Sequence, residues 1–425
     1  MARQELSGAV GQYLQTHRDE IARMLLDLVA IPSVTGDEGP VQDAIATMMR
    51  DRDLDTDVWE ARPDEIAPYL THVGEQDVWE GRPSVVGRLA GSGGGRSLMI
   101  QGHVDVVDPG DPALWTRRQW GEIADGRVYG RGAADMKSGI VVYLAALDAL
   151  RASGTSLRGD LLLAASVGEE NGGLGALSTI LRGHRADAVI VTEPTGLALV
   201  VAQGGSLVFR ITVTGRAAHG ANRDRGVSAV DKYIPVHQAL LAWEAERNRT
   251  LSHPLYDHLE NKFPISVGVV RAGTWASTVP ETLVSEGRLG FLPGETIEGM
   301  QRQTEELIAR VADDDPWLRE HPPVVEWFGG QFASAEVSPE APIARAVAAA
   351  HWQVTGEDVV IKGITAGTDV RLFTETGKMP ALLYGAGELM TAHGPDEYAD
   401  IDELLTAAHT IAVIIADWCG TQPDS

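Results

Sequence analysis

The 425-residue sequence predicts an α/β fold, a helix-covered mixed sheet interrupted by an inserted βαββαβ ferredoxin-like module. Three observations predict it. Helical and strand-like stretches alternate through the N-terminal third of the chain. Several strand-like runs, such as Leu161-Leu162-Leu163-Ala164-Ala165, are continuously apolar, as in strands covered on both faces. The middle of the chain then changes rhythm to the order strand, helix, strand, strand, helix, strand.

Taken in order, a first helix is expected over 4–29, where Val10, Leu14, Ile21, Leu25 and Leu28 recur at helical spacing and Pro32 stops it. A second helix is expected over 38–50. Strands follow at 56–59, 84–89, 97–101, 160–166 and 188–191, with a helix over 137–152 between two of them. The middle segment offers a strand over 207–213, a helix over 226–246, paired strands at 265–270 and 283–291, a helix over 296–312 and a last strand at 324–328. A helix over 342–355, strands at 359–361 and 381–384 and a closing helix over 401–419 complete the chain. The expected divisions are 1–201, an insert over 202–331, and 332–425, which returns to the first unit.

Composition removes several function classes. Sixty Asp and Glu against 35 Lys and Arg leave a net charge of −25, which gives little electrostatic reason to bind nucleic acid or an anionic membrane face. No run of ~18 apolar residues exists to form a membrane span. The start, Met1-Ala2-Arg3-Gln4-Glu5-Leu6, lacks a basic region followed by an apolar stretch, and the single cysteine, Cys419, has no internal partner. A cytoplasmic setting is expected.

The chemistry gathers at strand ends. Gly102-His103-Val104-Asp105 follows the strand at 97–101, and residues just past a strand's carboxyl end face the ligand crevice of an open α/β sheet. His103 and Asp105 share a face in an extended segment, so the carboxylate could orient the ring toward a metal; a turn histidine with a local hydrogen bond is the plainer alternative. Asp135, in Gly130-Arg131-Gly132-Ala133-Ala134-Asp135-Met136-Lys137, could by itself be a helix cap. Glu169 and Glu170 end the strand at 160–166, Glu193 ends the next, and His393 lies far downstream in Ala392-His393-Gly394-Pro395. Two like charges ~4 Å apart repel by ~4 kcal/mol at an effective dielectric of 20. Five carboxylates in one crevice therefore call for cations, and two Zn²⁺ ions bound by imidazole and carboxylate suit the set. Two competing motifs are weaker. Gly91-Ser92-Gly93-Gly94-Gly95-Arg96 leads into a strand rather than a helix and so reads as a hairpin turn. Ala164-Ala165-Ser166-Val167-Gly168 approximates a nucleophile elbow with Ser166 as the attacking residue, followed in order by Asp369 and His393, but leaves Glu169 and Glu170 unexplained.

With these segments, together with Thr192-Glu193-Pro194 and Gly215-Arg216-Ala217-Ala218-His219-Gly220, the chain resembles the dizinc aminoacylase and carboxypeptidase family of metallohydrolases, in its acetylornithine deacetylase and succinyl-diaminopimelate desuccinylase-like branch. The resemblance implies that 1–201 and 332–425 form a catalytic domain and that the insert is a lid that mediates homodimerisation. It implies that Asp135 bridges two zinc ions (Co²⁺ or Mn²⁺ as possible substitutes), that His103 and Glu193 complete one site, and that Glu170 and His393 complete the other. Asp105 would orient His103, Glu169 would be the general base, and His219 would reach the partner subunit's site to stabilise an oxyanion.

Three departures bear on the substrate. Ser277 stands where many relatives carry Asn. Arg288 and Gly290 stand where they carry Asp and Arg. Gln119-Trp120 replaces Pro-Phe. Arg288, Ser277, Trp120 and Thr368 are the candidate substrate residues, and an α-carboxylate is not expected to be held chiefly at the position relatives use. The implied activity is removal of an acyl group from a small N-acylated amine or amino acid. Its alternatives are a metallo-exopeptidase of the same fold, a formylaminopyrimidine deformylase-like enzyme, and a metal-bound protein without catalysis, against which Glu169 counts.

Overall fold

The computed structural model describes residues 3–422. Its main sheet has nine strands. From one edge they run Asp55–Glu60, Pro83–Leu89, Leu161–Ser166, Leu98–His103, Val189–Val191, Ala381–Leu383, Leu199–Gln203 and Ala335–Glu336, and Ile361–Ile364 also pairs with Leu199–Gln203. The four central strands, Leu161–Ser166, Leu98–His103, Val189–Val191 and Ala381–Leu383, are mutually parallel, while the outer ones bring antiparallel pairings. All four central carboxyl ends therefore open on one edge, the place where an open parallel sheet forms its crevice.

Both faces of that sheet are covered, which is why its strands are apolar without alternation. Leu161, Leu163 and Ala165 enter the core beneath the helices Ser138–Ala152 and Ile401–Cys419, whereas Leu162 and Ala164 pack on the opposite side with Leu174 and Leu177. The closing helix starts where Asp400 accepts hydrogen bonds from the amides of Asp402 (3.0 Å) and Glu403 (3.3 Å).

The insert is a four-stranded antiparallel sheet in the order Ile265–Ala272, Thr282–Phe291, Gly205–Thr214, Val324–Trp327. Its second and third strands in sequence lie on the side of the first opposite the fourth, the ferredoxin-like arrangement. Helices Ala229–Thr250 and Ile297–Asp313 cover one face, and Leu207, Phe209, Ile211 and Val213 point into that core by strict alternation.

Two local expectations are corrected, and two features were not anticipated. The helix expected over 4–29 is two helices, Arg3–Thr16 and Arg18–Val29. At the break the Thr16 hydroxyl donates to the Gln12 carbonyl and His17 Nδ1 lies 2.9 Å from the Tyr13 carbonyl, so side chains compete for backbone acceptors where the helix would continue. The strand expected at 359–361 lies at Ile361–Ile364, because its parallel partner Leu199–Gln203 sets the register and Gly363 passes close over the Tyr256 ring. Helix Leu174–Leu181 and the small sheet of Glu122–Ala124, Arg127–Tyr129 and Tyr398–Asp400 had no counterpart in the sequence reading.

Candidate metal centre and active site

The carboxyl ends of the central strands supply most of the site. His103 is the last residue of its strand and is buried. Its Nδ1 lies 2.9 Å from the backbone carbonyl of Asp105 and 3.6 Å from the Asp105 carboxylate. A carbonyl only accepts, so Nδ1 carries a proton and Nε2 is the atom turned to the site. Burial opposes a second proton there, but Glu193, Asp135 and Asp105 prevail and raise the ring well above its usual value. There Nε2 faces Asp135 Oδ1 at 3.1 Å and Glu193 Oε2 at 3.8 Å. A lone pair turned toward two carboxylates is repulsive unless a proton or a metal cation lies between them.

Asp135 sits between two histidines. Oδ1 faces His103, and Oδ2 lies 3.4 Å from His393 Nε2. His393 Nε2 also lies 3.1 Å from Glu170 Oε1. One donor atom each from His103, Asp135 and Glu170 falls within 4.8 Å of the others. Glu193 adds a carboxylate on the His103 side and His393 an imidazole on the Glu170 side. This mixed set of imidazole and carboxylate donors around a central two-oxygen carboxylate fits a pair of divalent cations.

The electrostatics agree. Burial pushes the Glu169 and Glu193 carboxyls well above the usual range, reinforced by their neighbouring acids and opposed by His103. Burial also raises Glu170, against the hydrogen bond to His393. Burial opposes the charge on Asp135, but the contacts with His103 and His393 prevail and hold it well below the usual range. His393 is pushed up to about 10 by its hydrogen bonds to Asp135 and Glu170. The cluster as it stands is short of positive charge.

The Asp105 carboxylate has a different task from the one expected. Its oxygens accept the backbone N–H groups of Glu169 and Glu170, each at 3.1 Å, and the Thr35 hydroxyl at 3.1 Å. Orientation of His103 falls to the Asp105 backbone, because the carboxylate is committed to the turn that carries the two glutamates. Glu397, which the sequence reading missed, anchors Asp135: Oε1 accepts the amides of Ala134 and Asp135 at 3.0 Å, and Oε2 pairs with the buried Arg131. Asp369, considered in the sequence only as the acid of the nucleophile-elbow alternative, is buried with Oδ2 accepting from Gln101 Nε2 at 2.9 Å. Asp369 follows the strand Ile361–Ile364 in a loop that contains Gly367, whereas Glu397 directly precedes the strand Tyr398–Asp400 and carries no such signal.

A cavity of about 550 Å³ opens on this centre. Asp135, Glu169, Glu170, Glu193 and His393 line it together with Arg288 and Thr368. The Arg288 guanidinium donates to Ser206 Oγ (3.2 Å) and to the Thr365 carbonyl (3.3 Å), and no carboxylate pairs with it among the described residues. Trp120 and Ser277 do not line the cavity, contrary to expectation. Gly121, at φ +106°, folds the Trp120 loop down onto Leu26, and Ser277 lies on the turn of the insert where its backbone carbonyl accepts the Gly220 amide at 2.7 Å. His219 lies on that same exposed turn of the insert, away from its own chain's cavity, where Nδ1 accepts the Ala221 amide at 3.1 Å. Ser166 is buried with an unpartnered hydroxyl, so no base serves it and the nucleophile-elbow reading is set aside.

Residues 99–417 match the model of peptidase family M20/M25/M40. The chain belongs to that family. It is a metallohydrolase, as the donor set implies. Among its relatives, the N-formyl-4-amino-5-aminomethyl-2-methylpyrimidine deformylase of Halalkalibacterium halodurans is 28% identical over 431 residues, covering 96% of each chain. An acetylornithine deacetylase of Myxococcus xanthus is 30% identical over 334 residues, covering 78% of this chain and 82% of that one. Among solved structures, the Bacillus subtilis YXEP protein, described as a dinuclear metal-binding peptidase of the M20 family, superposes with a TM-score of 0.65 at 14% identity, over 95% of this chain and 99% of that one.

Proposed function

We propose that the protein is a dizinc deacylase that removes an acyl group from a small N-acylated amine or amino acid, with 202–331 serving as lid and dimerisation module of a cytoplasmic homodimer. The observation that carries this reading is the Asp135 carboxylate, one oxygen toward His103 and the other toward His393, with Glu193 and Glu170 on the respective sides. His103 and Glu193 would hold one ion, Glu170 and His393 the other, with Asp135 shared. When bound, the ions supply Lewis acidity and a water nucleophile active near neutral pH.

Beside the proposed ligands the cavity wall holds Glu169 and Glu388, and of the two only Glu169 adjoins a ligand in sequence, next to Glu170. The raised affinity of Glu169 for a proton suits it to accept one at its carboxylate from the attacking water and to return it to the departing nitrogen. Glu170 spends its oxygen on His393, which separates the two roles. The partner's copy of the His219 turn would supply a hydrogen-bond donor to the developing oxyanion, since Nδ1 is occupied by the Ala221 amide and Nε2 is left to donate. His258 is the insert's own imidazole in the wall of this chain's cavity.

On the substrate side, Gly290 leaves no room for a side chain, because a Cβ there would approach Pro264 to 2.8 Å. Arg288, on the same strand face, and Lys362 are the cations of the cavity wall. An anionic group on the amine portion is therefore read by Arg288. The whole reading is tested with zinc-loaded protein on N-formyl, N-acetyl and N-succinyl compounds and dipeptides, each as free acid and as uncharged amide. Acyl release with little dipeptide cleavage is expected. Preference for the free acid, abolished in Arg288→Ala, supports Arg288; faster turnover of dipeptides assigns the chain to exopeptidases instead.

A further inference from the structure

Arg371 is buried, and every hydrogen bond it makes goes to a backbone carbonyl. Nη1 donates to Thr368 at 2.8 Å, and Nη2 donates to Gly172 at 2.7 Å and to His72 at 3.3 Å. Its guanidinium carbon lies 3.9 Å from the ring centroid of Phe332. Burying a guanidinium without a direct carboxylate partner is expensive, and a buried ionic group with no catalytic contact needs another reason to be there.

The four segments it joins supply one. Gly172 belongs to the turn that follows Glu169 and Glu170, closed by Gly172 N to Glu169 O (2.9 Å) and Gly173 N to Gly168 O (2.6 Å). Thr368 lines the substrate cavity. His72 lies in the 63–82 segment, whose Thr71 carbonyl accepts the Gln331 amide at 3.1 Å. Phe332 is where the chain leaves the insert, paired with Ser206, where it enters, by two backbone bonds of 2.8 Å. Ser206 is also the residue whose hydroxyl Arg288 grips. A planar, rigid donor fork stacked on an aromatic ring is suited to hold several carbonyls and a hinge in fixed relation, which a lysine would not do.

We propose that Arg371 is a positioning residue that fixes the Glu169 turn and ties it to the hinge of the insert, so that Glu169 reaches its working position only when the insert is seated. The inference rests on Glu169 being the general base. It predicts that Arg371→Met and Phe332→Leu each lower kcat by about 10²-fold with KM little changed, the scale set by slight misplacement of a catalytic group. Metal content by mass spectrometry stays at the wild-type value. Amide hydrogen exchange across 168–174 quickens in both variants, although Phe332 sits on the hinge and not in the turn. The double variant loses no more kcat than the worse single one, because both break the same linkage. Arg371→Lys restores less than the full rate.

Unchanged exchange in Phe332→Leu, losses that multiply in the double variant, or a change confined to KM overturns the proposal. If Arg371→Met yields no folded protein, Phe332→Leu alone decides by its kcat and its exchange at 168–174. Glu169→Gln is run beside them. Activity surviving in that variant removes the general-base reading, whereas its loss together with normal Phe332→Leu behaviour removes only the linkage.

Discussion

Glu169 and Glu170 are adjacent in sequence, yet their surroundings give them different work. Glu170 contacts His393, and Glu169 faces the cavity with its proton affinity raised by burial. Glu169→Gln is therefore expected to keep its metal and lose ~10²–10⁴-fold in kcat, the span of general acid–base contributions. Glu170→Gln is expected to lose metal. Equal metal loss from both variants, measured on the purified proteins, would show that the roles are not separated this way. A second residue-scale effect lies far from the site. Burial lowers the proton affinity of His351, beside the Tyr384 hydroxyl at 2.8 Å, and of His409, beside Ser7 at 2.9 Å. The unfolded chain binds these protons near the ordinary value of 6.5 while the folded chain resists them. Their contribution to stability is thus complete above that pH and lost as the pH falls below it. A His351→Gln, His409→Gln protein should show a smaller drop in Tm than wild type between about pH 7.5 and about pH 5.5, both measured with chelator present.

Among the elements, the ones readable in advance were those whose pattern is local. The alternation of Leu207, Phe209, Ile211 and Val213 marks a half-covered strand, and the helix Ile297–Asp313 carries its own Thr296 cap, whose hydroxyl accepts the Gly299 amide at 3.1 Å. The helix Leu174–Leu181 was hidden because glycines crowd its start, and Gly173 enters it in the left-handed region at φ +85°. That stretch is shaped by what lies above it. A Cβ on Gly172, at φ +136°, would sit 1.9 Å from the Val73 carbonyl oxygen, so the turn can lie under the 63–82 segment only as glycine. Gly172→Ala must displace backbone and is expected to destabilise by roughly 1–3 kcal/mol or more, with loss of activity from the displaced glutamates. Gly81→Ala, also at positive φ but with open space around it, bears only the left-handed cost of ~1–2 kcal/mol and should stay active. Denaturant titration of the two variants measures the difference.

At the scale of the whole molecule, the exposed turn bearing His219 is the open question that mixing can answer. It lies off its own chain's cavity, on the insert, where His219 bridges to Thr278. His219→Ala is expected to lower kcat by ~10²–10³ with metals retained, the usual cost of one oxyanion donor. Mixed with Glu169→Gln after subunit exchange, it should regain activity. A heterodimer would hold one site with both defects and one intact, for up to half the wild-type rate per heterodimer. Demonstrated exchange without recovery would leave His219 outside the partner's chemistry.

The sequence by itself determined the residue types and the strand ends that bear them. His103, Glu169, Glu170 and Glu193 each follow an apolar run, and in a parallel sheet that position alone places a side chain on the crevice edge. It also determined the insert, whose alternating strands and amphipathic helices close a core using neighbours in the same segment. What only the tertiary structure decided is which group answers which. Asp105 turns its carboxylate to the Glu169 and Glu170 amides because the strand end brings them within 3.1 Å, and its carbonyl is left for His103. Glu397 holds the Asp135 loop from 262 positions away, and Arg371 gathers three segments through the carbonyls of His72, Gly172 and Thr368, which carry no sequence signature. A backbone acceptor is identical at every residue, so the partners of such bonds are set by the folded path of the chain and by nothing that can be read along it.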